Sequence, residues 1–278
     1  NTVILRKKNN LNWNANFNAS FNSNKIKSLG PDQTSFLVTS GWAGGNVPSD
    51  FLVKVGEPVG SVWGLITNGW YTVDDFNYNA TNGTYTLKPG VPNNSSIIST
   101  APQPGMIKFK DLNGDSVVND ADRTVIGHTL PKVIGGLNQQ FQYKNFDLSV
   151  FINFQFGNDV YNANKLEFSS GYTVNSNLLA IMNSDKRWRT VDASGNVVTD
   201  PTELTKLNAN ATIWRPITSA SSFYTHSWAI EDGGFVRLNN VTLGYTLPKS
   251  LTTKAKIQSA RFYVTGNNLK VFTNYSGY

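Results

Sequence analysis

From Leu11 to Asn22 the chain alternates without a break. Leu11, Trp13, Ala15, Phe17, Ala19 and Phe21 take one parity, and Asn12, Asn14, Asn16, Asn18, Ser20 and Asn22 take the other. Successive side chains of a strand point to opposite faces, so the pattern predicts a strand with one apolar and one amide-rich face. At about 3.3 Å per residue the run extends about 40 Å. A mean globular strand has only about five or six residues, whereas a tilted strand crossing a bilayer needs about 9–11. Length and amide face together predict a membrane-barrel wall, with apolar residues toward lipid and amides toward a wet lumen.

Two further regions repeat the pattern. Leu137 to Lys144 sets Leu137, Phe141 and Tyr143 against Asn138, Gln140, Gln142 and Lys144. Phe146 to Gly157 sets Phe146, Leu148, Val150, Ile152, Phe154 and Phe156 against Asp147, Ser149, Asn153 and Gln155, with Phe151 as the exception. The two runs meet at Lys144-Asn145, which predicts a hairpin with a tight polar turn, of the kind barrels place on the periplasmic side. Phe235 to Pro248 alternates in the same way, and Arg261 to Asn267 adds a further strand. Phe272, Tyr275 and Tyr278 gather beyond it, where a membrane-interface girdle or simple core packing at a strand end would each place aromatics. Between these strands lie two long loop-like stretches, near 72–104 and 158–225, which a barrel would hold outside the cell. A short helix is predicted around Ser176–Lys186, capped by Asn175 or Ser176.

Composition narrows the classes. Charged residues make up 15% of the 278, aromatics 12%, and there is no cysteine. Soluble domains carry about 25% charge. Disorder is excluded by the aromatic content, a disulfide scaffold by the missing cysteine, and a helical membrane protein by the lack of a long apolar run. The net charge of +6 is scattered, with Arg6-Lys7-Lys8 the densest run. Nucleic acid is therefore not expected as a partner. Asn1 is not a start residue, so the chain is expected to be processed or a piece of a longer one.

Catalytic chemistry finds little support. The two histidines, His128 and His226, have no nucleophile-elbow or zinc-type spacing beside them and are expected to be surface or loop residues. Gly44-Gly45 and Gly135-Gly136 lack the following helix of a phosphate cradle. Carboxylates such as Asp74, Asp75 and Asp185 have no context that marks a glycosidase pair. One motif is specific. Asp111, Asn113, Asp115, Val117 and Asp122 stand at positions one, three, five, seven and twelve of a loop, the spacing of an EF-hand or dockerin calcium site. Ser116 replaces the glycine wanted at position six, and Asp122 replaces the glutamate at twelve. A bound calcium would be structural, pinning the loop 111–122; the alternative is an Asx-turn loop that folds without metal.

Several segments together resemble the C-terminal half of SusC/RagA-type TonB-dependent outer-membrane transporters. They are Val55–Gly64 with Gly69–Tyr71, the run Gly105–Arg123 with Ile126-Gly127, Pro131 and Gly135-Gly136, the strand Phe146–Ser149, Glu231–Pro248, and Gly266–Leu269 followed by Phe272–Tyr278. The resemblance implies an all-β, transmembrane antiparallel barrel of about 22 strands closed around a plug. It implies import of glycan fragments or peptides across the outer membrane of Bacteroidetes-type bacteria, with a SusD-like surface lipoprotein as partner and TonB pulling the plug. Plug and TonB box are not seen in this chain, and roughly eight to ten barrel strands are expected from its length. The chain is then expected to pair with the remaining barrel, because open edges are not viable in lipid.

Two other classes compete. A soluble secreted carbohydrate-binding β-sandwich also alternates, but long two-faced strands and long loops suit it badly. An enzyme on a β scaffold has only its carboxylates to recommend it. Trp42, Trp63, Trp70, Trp188, Trp214 and Trp228 could stack on sugars, although loop core or girdle is the more ordinary use of each.

Overall fold

The computed structural model describes residues 2–8, 11–42, 48–170, 177–216 and 223–277. The chain divides into two compact units. One gathers Asn1–Asn24, Thr129–Val160 and Glu231–Tyr278; the other gathers Lys25–His128 and Tyr161–Ile230. Gly44-Gly45, Tyr278 and the proposed caps Asn175 and Ser176 lie outside the described residues.

The first unit is one antiparallel sheet of six strands in simple neighbour order. They are β1 (Thr2–Lys8), β2 (Leu11–Phe21), β3 (Val133–Tyr143), β4 (Phe146–Phe156), β5 (Phe235–Thr246) and β6 (Arg261–Thr273). The alternating runs are therefore strands of 11 to 13 residues, as their pattern predicts. β3 pairs with β2 and with β4 residue for residue over its whole length. Lys144 takes the left-handed conformation, φ 52°, in the two-residue turn between β3 and β4.

The apolar face of this sheet is uncovered. Trp13, Phe141, Leu148, Leu243 and Val264 stand in one row across five strands. Phe17, Phe21 and Val264 are 64%, 79% and 67% exposed. Among the described residues, no large apolar side chain of this unit is buried; the buried ones all belong to the other unit. A sandwich would need a second layer on this face, so the sheet has the character of a barrel wall. Aromatics mark both of its ends. Tyr143, Phe146, Tyr245 and Phe262 form a row beside the hairpin turn; Phe21, Phe154, Phe156 and Phe272 cluster at the opposite end. Phe272 is exposed, so it is not packed in a core at its strand end. The ten residue steps from Phe146 to Phe156 span about 33 Å. Tilted by about 45°, that is close to the roughly 25 Å apolar band of outer-membrane barrels.

Two residues that break the alternation have partners. Gln139 falls on the apolar face, where its Oε1 accepts the Trp13 indole N–H at 2.8 Å and its Nε2 donates to the Asn138 carbonyl at 3.2 Å. Phe151 falls on the amide face, within reach of Gly136, whose absent Cβ would stand 3.2 Å from the ring. The neighbouring Gly135 does the same for Phe154: a Cβ there would meet Phe154 Cζ at 2.3 Å and the Asn18 carbonyl oxygen at 2.5 Å.

Among the described residues the sheet has six strands, five of them long, fewer than the eight to ten expected, because the sequence between them builds the second unit. Its strands are short: Ser35–Val38, Phe51–Lys54, Ser61–Gly64 and Thr124–His128 form one small antiparallel sheet. Its core contains Leu65, Tyr71, Phe76, Phe109, Met182 and Trp214. The 72–104 stretch is not structureless. It holds a hairpin of Phe76–Asn79 with Thr84–Leu87, turned at Asn82-Gly83 where Gly83 has φ 70°. The expected helix around Ser176–Lys186 reduces to a 3-10 turn over Ala180–Met182. Asn183 ends it, its Oδ1 accepting the Asp185 and Lys186 N–H groups and so offering the backbone an alternative to helix. A helix lies instead at Pro201–Leu207. Asp200 caps it by accepting from Thr202 N and Glu203 N, with proline in the first turn.

Candidate functional site

The amide face of the sheet presents rows of polar side chains across five strands. By register, Asn14, Gln140, Ser149, Thr242 and Thr265 form one row, and Asn16, Asn138, Phe151, Asn240 and Asn267 the next. These side chains bond sideways to one another. Asn240 Nδ2 donates to Asn267 Oδ1 at 2.6 Å, and the Thr242 and Thr265 hydroxyls stand 2.9 Å apart. Each amide both donates and accepts, so the surface can hold hydrated neutral groups of either polarity. Near the hairpin turn, Arg261 Nε and Nη2 donate to the two Asp147 oxygens at 3.0 and 2.5 Å. The pair crosses Gly244, where any Cβ would collide with both partners.

In the second unit His226 is buried, 7% exposed, rather than on the surface as expected. Thr67 Oγ1 lies 2.9 Å from its Nδ1, and the rings of Phe109, Trp214 and Trp228 surround it at 5.5, 5.9 and 6.3 Å. Burial, with the nearby Lys165 charge, pushes the imidazole down to about 3. A base that weak is a poor proton acceptor at neutral pH, so His226 is a packing group. The cavity beside it measures only about 70 Å³, below the roughly 300 Å³ of a small ligand site. His128 is half-buried at a strand end, 3.4 Å from the Ser61 hydroxyl. Trp188 and Trp214 are each 6% exposed, and Trp70 and Trp228 pack on the core, so these four serve the loop core. Trp228 also carries the Lys165 ammonium 4.2 Å from its ring centroid.

The calcium-like loop is ordered by its own carboxylates. Asp111 accepts from Gly114 N and Ser116 N, both at 2.7 Å. Asn113 Oδ1 accepts from Asp115 N, and Asp115 Oδ1 from Val117 N. Desolvation would raise the Asp111 carboxyl, but the backbone amides around it, Ser116 and Gly114 foremost, hold it below its ordinary range. Ser116 takes φ 65°, the left-handed conformation a glycine would adopt, so its substitution leaves the turn intact. Asp122 is fully buried, and its two oxygens accept from Leu112 N at 2.7 Å and Asn119 N at 2.8 Å. Among the described residues no three His, Cys, Asp or Glu side chains stand together as a metal-holding group. Asp111, Asn113, Asp115, Val117 and Asp122 thus share a loop whose side-chain oxygens accept mainly from backbone amides, while the Val117 carbonyl and Asp115 Oδ2 accept from the side-chain amides of Asn119 and Asn113.

No protein-family model matches the chain. Among curated proteins, it is 30% identical over 95% of its length to TonB-dependent receptor P3 of Formosa agariphila, and 27% identical over 82% to TonB-dependent receptor P39 of the same organism. It is 23% identical over 61% of its length to TonB-dependent receptor SusC of Bacteroides thetaiotaomicron. The chain spans about a quarter or less of each relative: 23%, 22% and 15%. Among solved structures, 98% of the chain superposes on a quarter of a chain of the RagAB peptide transporter, with a TM-score of 0.63 and 17% identity. The RagAB peptide importer in its closed-closed state gives 0.65.

Proposed function

As a SusC/RagA-type TonB-dependent transporter segment by sequence and fold, this chain, we propose, forms part of the barrel wall and loops of an outer-membrane importer that takes up glycan fragments or peptides. The single observation that carries this reading is the six-stranded sheet with one uncovered apolar face and one amide face. A wall between lipid and a hydrated passage needs that division, and a soluble domain has no use for it. The amide rows suit an oligomer that slides past with its own hydroxyl or peptide groups hydrated or bonded in turn. Substrate is held and released without covalent change. The rest of the barrel pairs with the outer strands, a plug fills the lumen, and TonB acts on that plug. A SusD-like surface lipoprotein closes the outer side, in keeping with the SusC name among the relatives and the RagAB peptide transporter among the structures.

The experiment uses the intact transporter in its own bacterium. A tagged protein is expected to co-purify with a SusD-like lipoprotein. Uptake of labelled oligosaccharide or peptide mixtures is expected to stop when TonB is deleted. Uptake that persists without TonB overturns the reading.

Within the same reading, the 111–122 loop takes calcium as a brace, favoured by the all-oxygen set at positions one to twelve and by the turn at Ser116. Millimolar calcium is expected to raise the melting temperature of the intact transporter, and D111N is expected to abolish the rise. An unchanged melting temperature returns the loop to a metal-free Asx turn.

A further inference from the structure

A cleft of about 760 Å³ opens in the second unit, bordered by Arg187, Trp188, Arg189, Asp192 and Arg215. Volumes of about 300–1,000 Å³ are those of sites for small ligands. Backbone pairing brings the three arginines together. Trp188 N donates to the Ile213 carbonyl at 2.9 Å and Thr212 N to the Lys186 carbonyl at 2.7 Å, which lays Arg187–Arg189 beside Ile213–Arg215. Among the described residues none of the three guanidinium groups has a carboxylate partner. Asp192, the carboxylate of the cleft wall, is occupied. It accepts from Ser194 N and Asn196 N at 2.9 Å each and from Asn196 Nδ2 at 3.2 Å.

A buried donor on an arginine of the cleft lacks an acceptor. The Arg215 Nε has no hydrogen-bond partner, while the buried Trp188 indole beside it is a packing group set against Gly105. Buried donors in folded proteins nearly always find a partner, and one without it marks a place where an ion or ligand supplies the acceptor. Three guanidinium groups border one cleft, and although Arg187 spends Nη1 on the Met182 carbonyl at 3.2 Å, they supply a donor set for an oxyanion, since a guanidinium meets a carboxylate through two parallel bonds.

We propose that this cleft binds a carboxylate carried by the transported oligomer, so that the importer favours acidic over uncharged substrates. The proposal rests on the import reading above and names its substrate class. A carboxylate can come from a uronic acid or from an acidic peptide, and the test separates the two. Purified intact transporter is titrated with labelled tetragalacturonate, its methyl ester, an Asp-containing tetrapeptide and the matching Asn peptide. One acidic probe is expected to bind about tenfold or more tighter than its uncharged counterpart, and that preference to shrink with added salt. The probe that does so identifies the source. The double variant R187Q/R189Q, altering two half-buried side chains, is expected to erase the preference. A193E, which sets a carboxylate in the cleft from its own exposed rim, is expected to do the same without removing an arginine. Equal binding of acidic and uncharged probes, or a preference that survives both variants, overturns the proposal. TonB-dependent uptake of an uncharged probe then shows that import stands while this site fails; loss of all TonB-dependent uptake locates the failure in the import reading.

Discussion

A Cβ at position 135 would meet the ring of Phe154 and, more seriously, the carbonyl oxygen of Asn18. A ring can turn aside, but a backbone oxygen bound into a sheet cannot. Gly135→Ala is therefore expected to destabilise the folded barrel by about 1–3 kcal/mol, read as a lower urea midpoint for the detergent-solubilised transporter. Asp122 is the second sensitive residue, because its removal takes a fully buried carboxylate from the amides of Leu112 and Asn119, which it holds in place. Asp122→Ala is expected to cost about 2–4 kcal/mol, measured by thermal melting. His226 gives a pH signature. Its folded pKa, about 3, lies below the ordinary 6.5, so over that interval the unfolded chain binds more protons. The stability it contributes is complete above about 6.5 and declines as pH falls toward about 3. His226→Gln is expected to flatten that decline in melting curves taken across the interval. Only part of this was legible beforehand. The calcium spacing is visible as letters, but whether its oxygens face a cation or an amide depends on torsions that spacing does not fix. The burial of His226 had no local signal, since its neighbours come from residues near 67, 109 and 214.

At the scale of the element, the long strands were legible because a strand with unlike faces writes a two-residue period. The Lys144-Asn145 turn sets the register of β3 against β4; the other pairings had no such local signal. The asymmetry of the faces gives a direct test. Val150→Arg puts a charge on the apolar face near mid-strand and is expected to cost about 2–4 kcal/mol in lipid. Ser149→Lys on the amide face is expected to leave stability and insertion unchanged, as urea refolding into vesicles would read. The short helices were not legible in the same way. Pro201–Leu207 carries its start signal in Asp200-Pro201 and Glu203, which a search for apolar periodicity passes over. Around Ser176–Lys186 the apolar residues are present, but Asn183 diverts the backbone into an Asx turn.

At the scale of the molecule, the second unit was the hidden part. Its small sheet is made of strands of four or five residues, too short to write a period, and its core joins segments more than a hundred residues apart. Reading those segments as loops missed the cleft of Arg187, Arg189 and Arg215, three cations that look scattered along the chain. The uncovered sheet face carries its own expectation. Carbonate washing should leave the intact transporter in the membrane pellet, and its release into the aqueous fraction would contradict the barrel-wall assignment. The glycine pair at 135 and 136 has one more consequence. Aromatic rings from β4 rest on the two glycines from opposite sides of the sheet, Phe154 on one and Phe151 on the other. Sliding β4 by a single residue would turn its greasy side chains to the water and pull both rings from their seats in the same movement. A misaligned hairpin would thus lose on both faces at once, so these two featureless residues act as a notch that singles out one register.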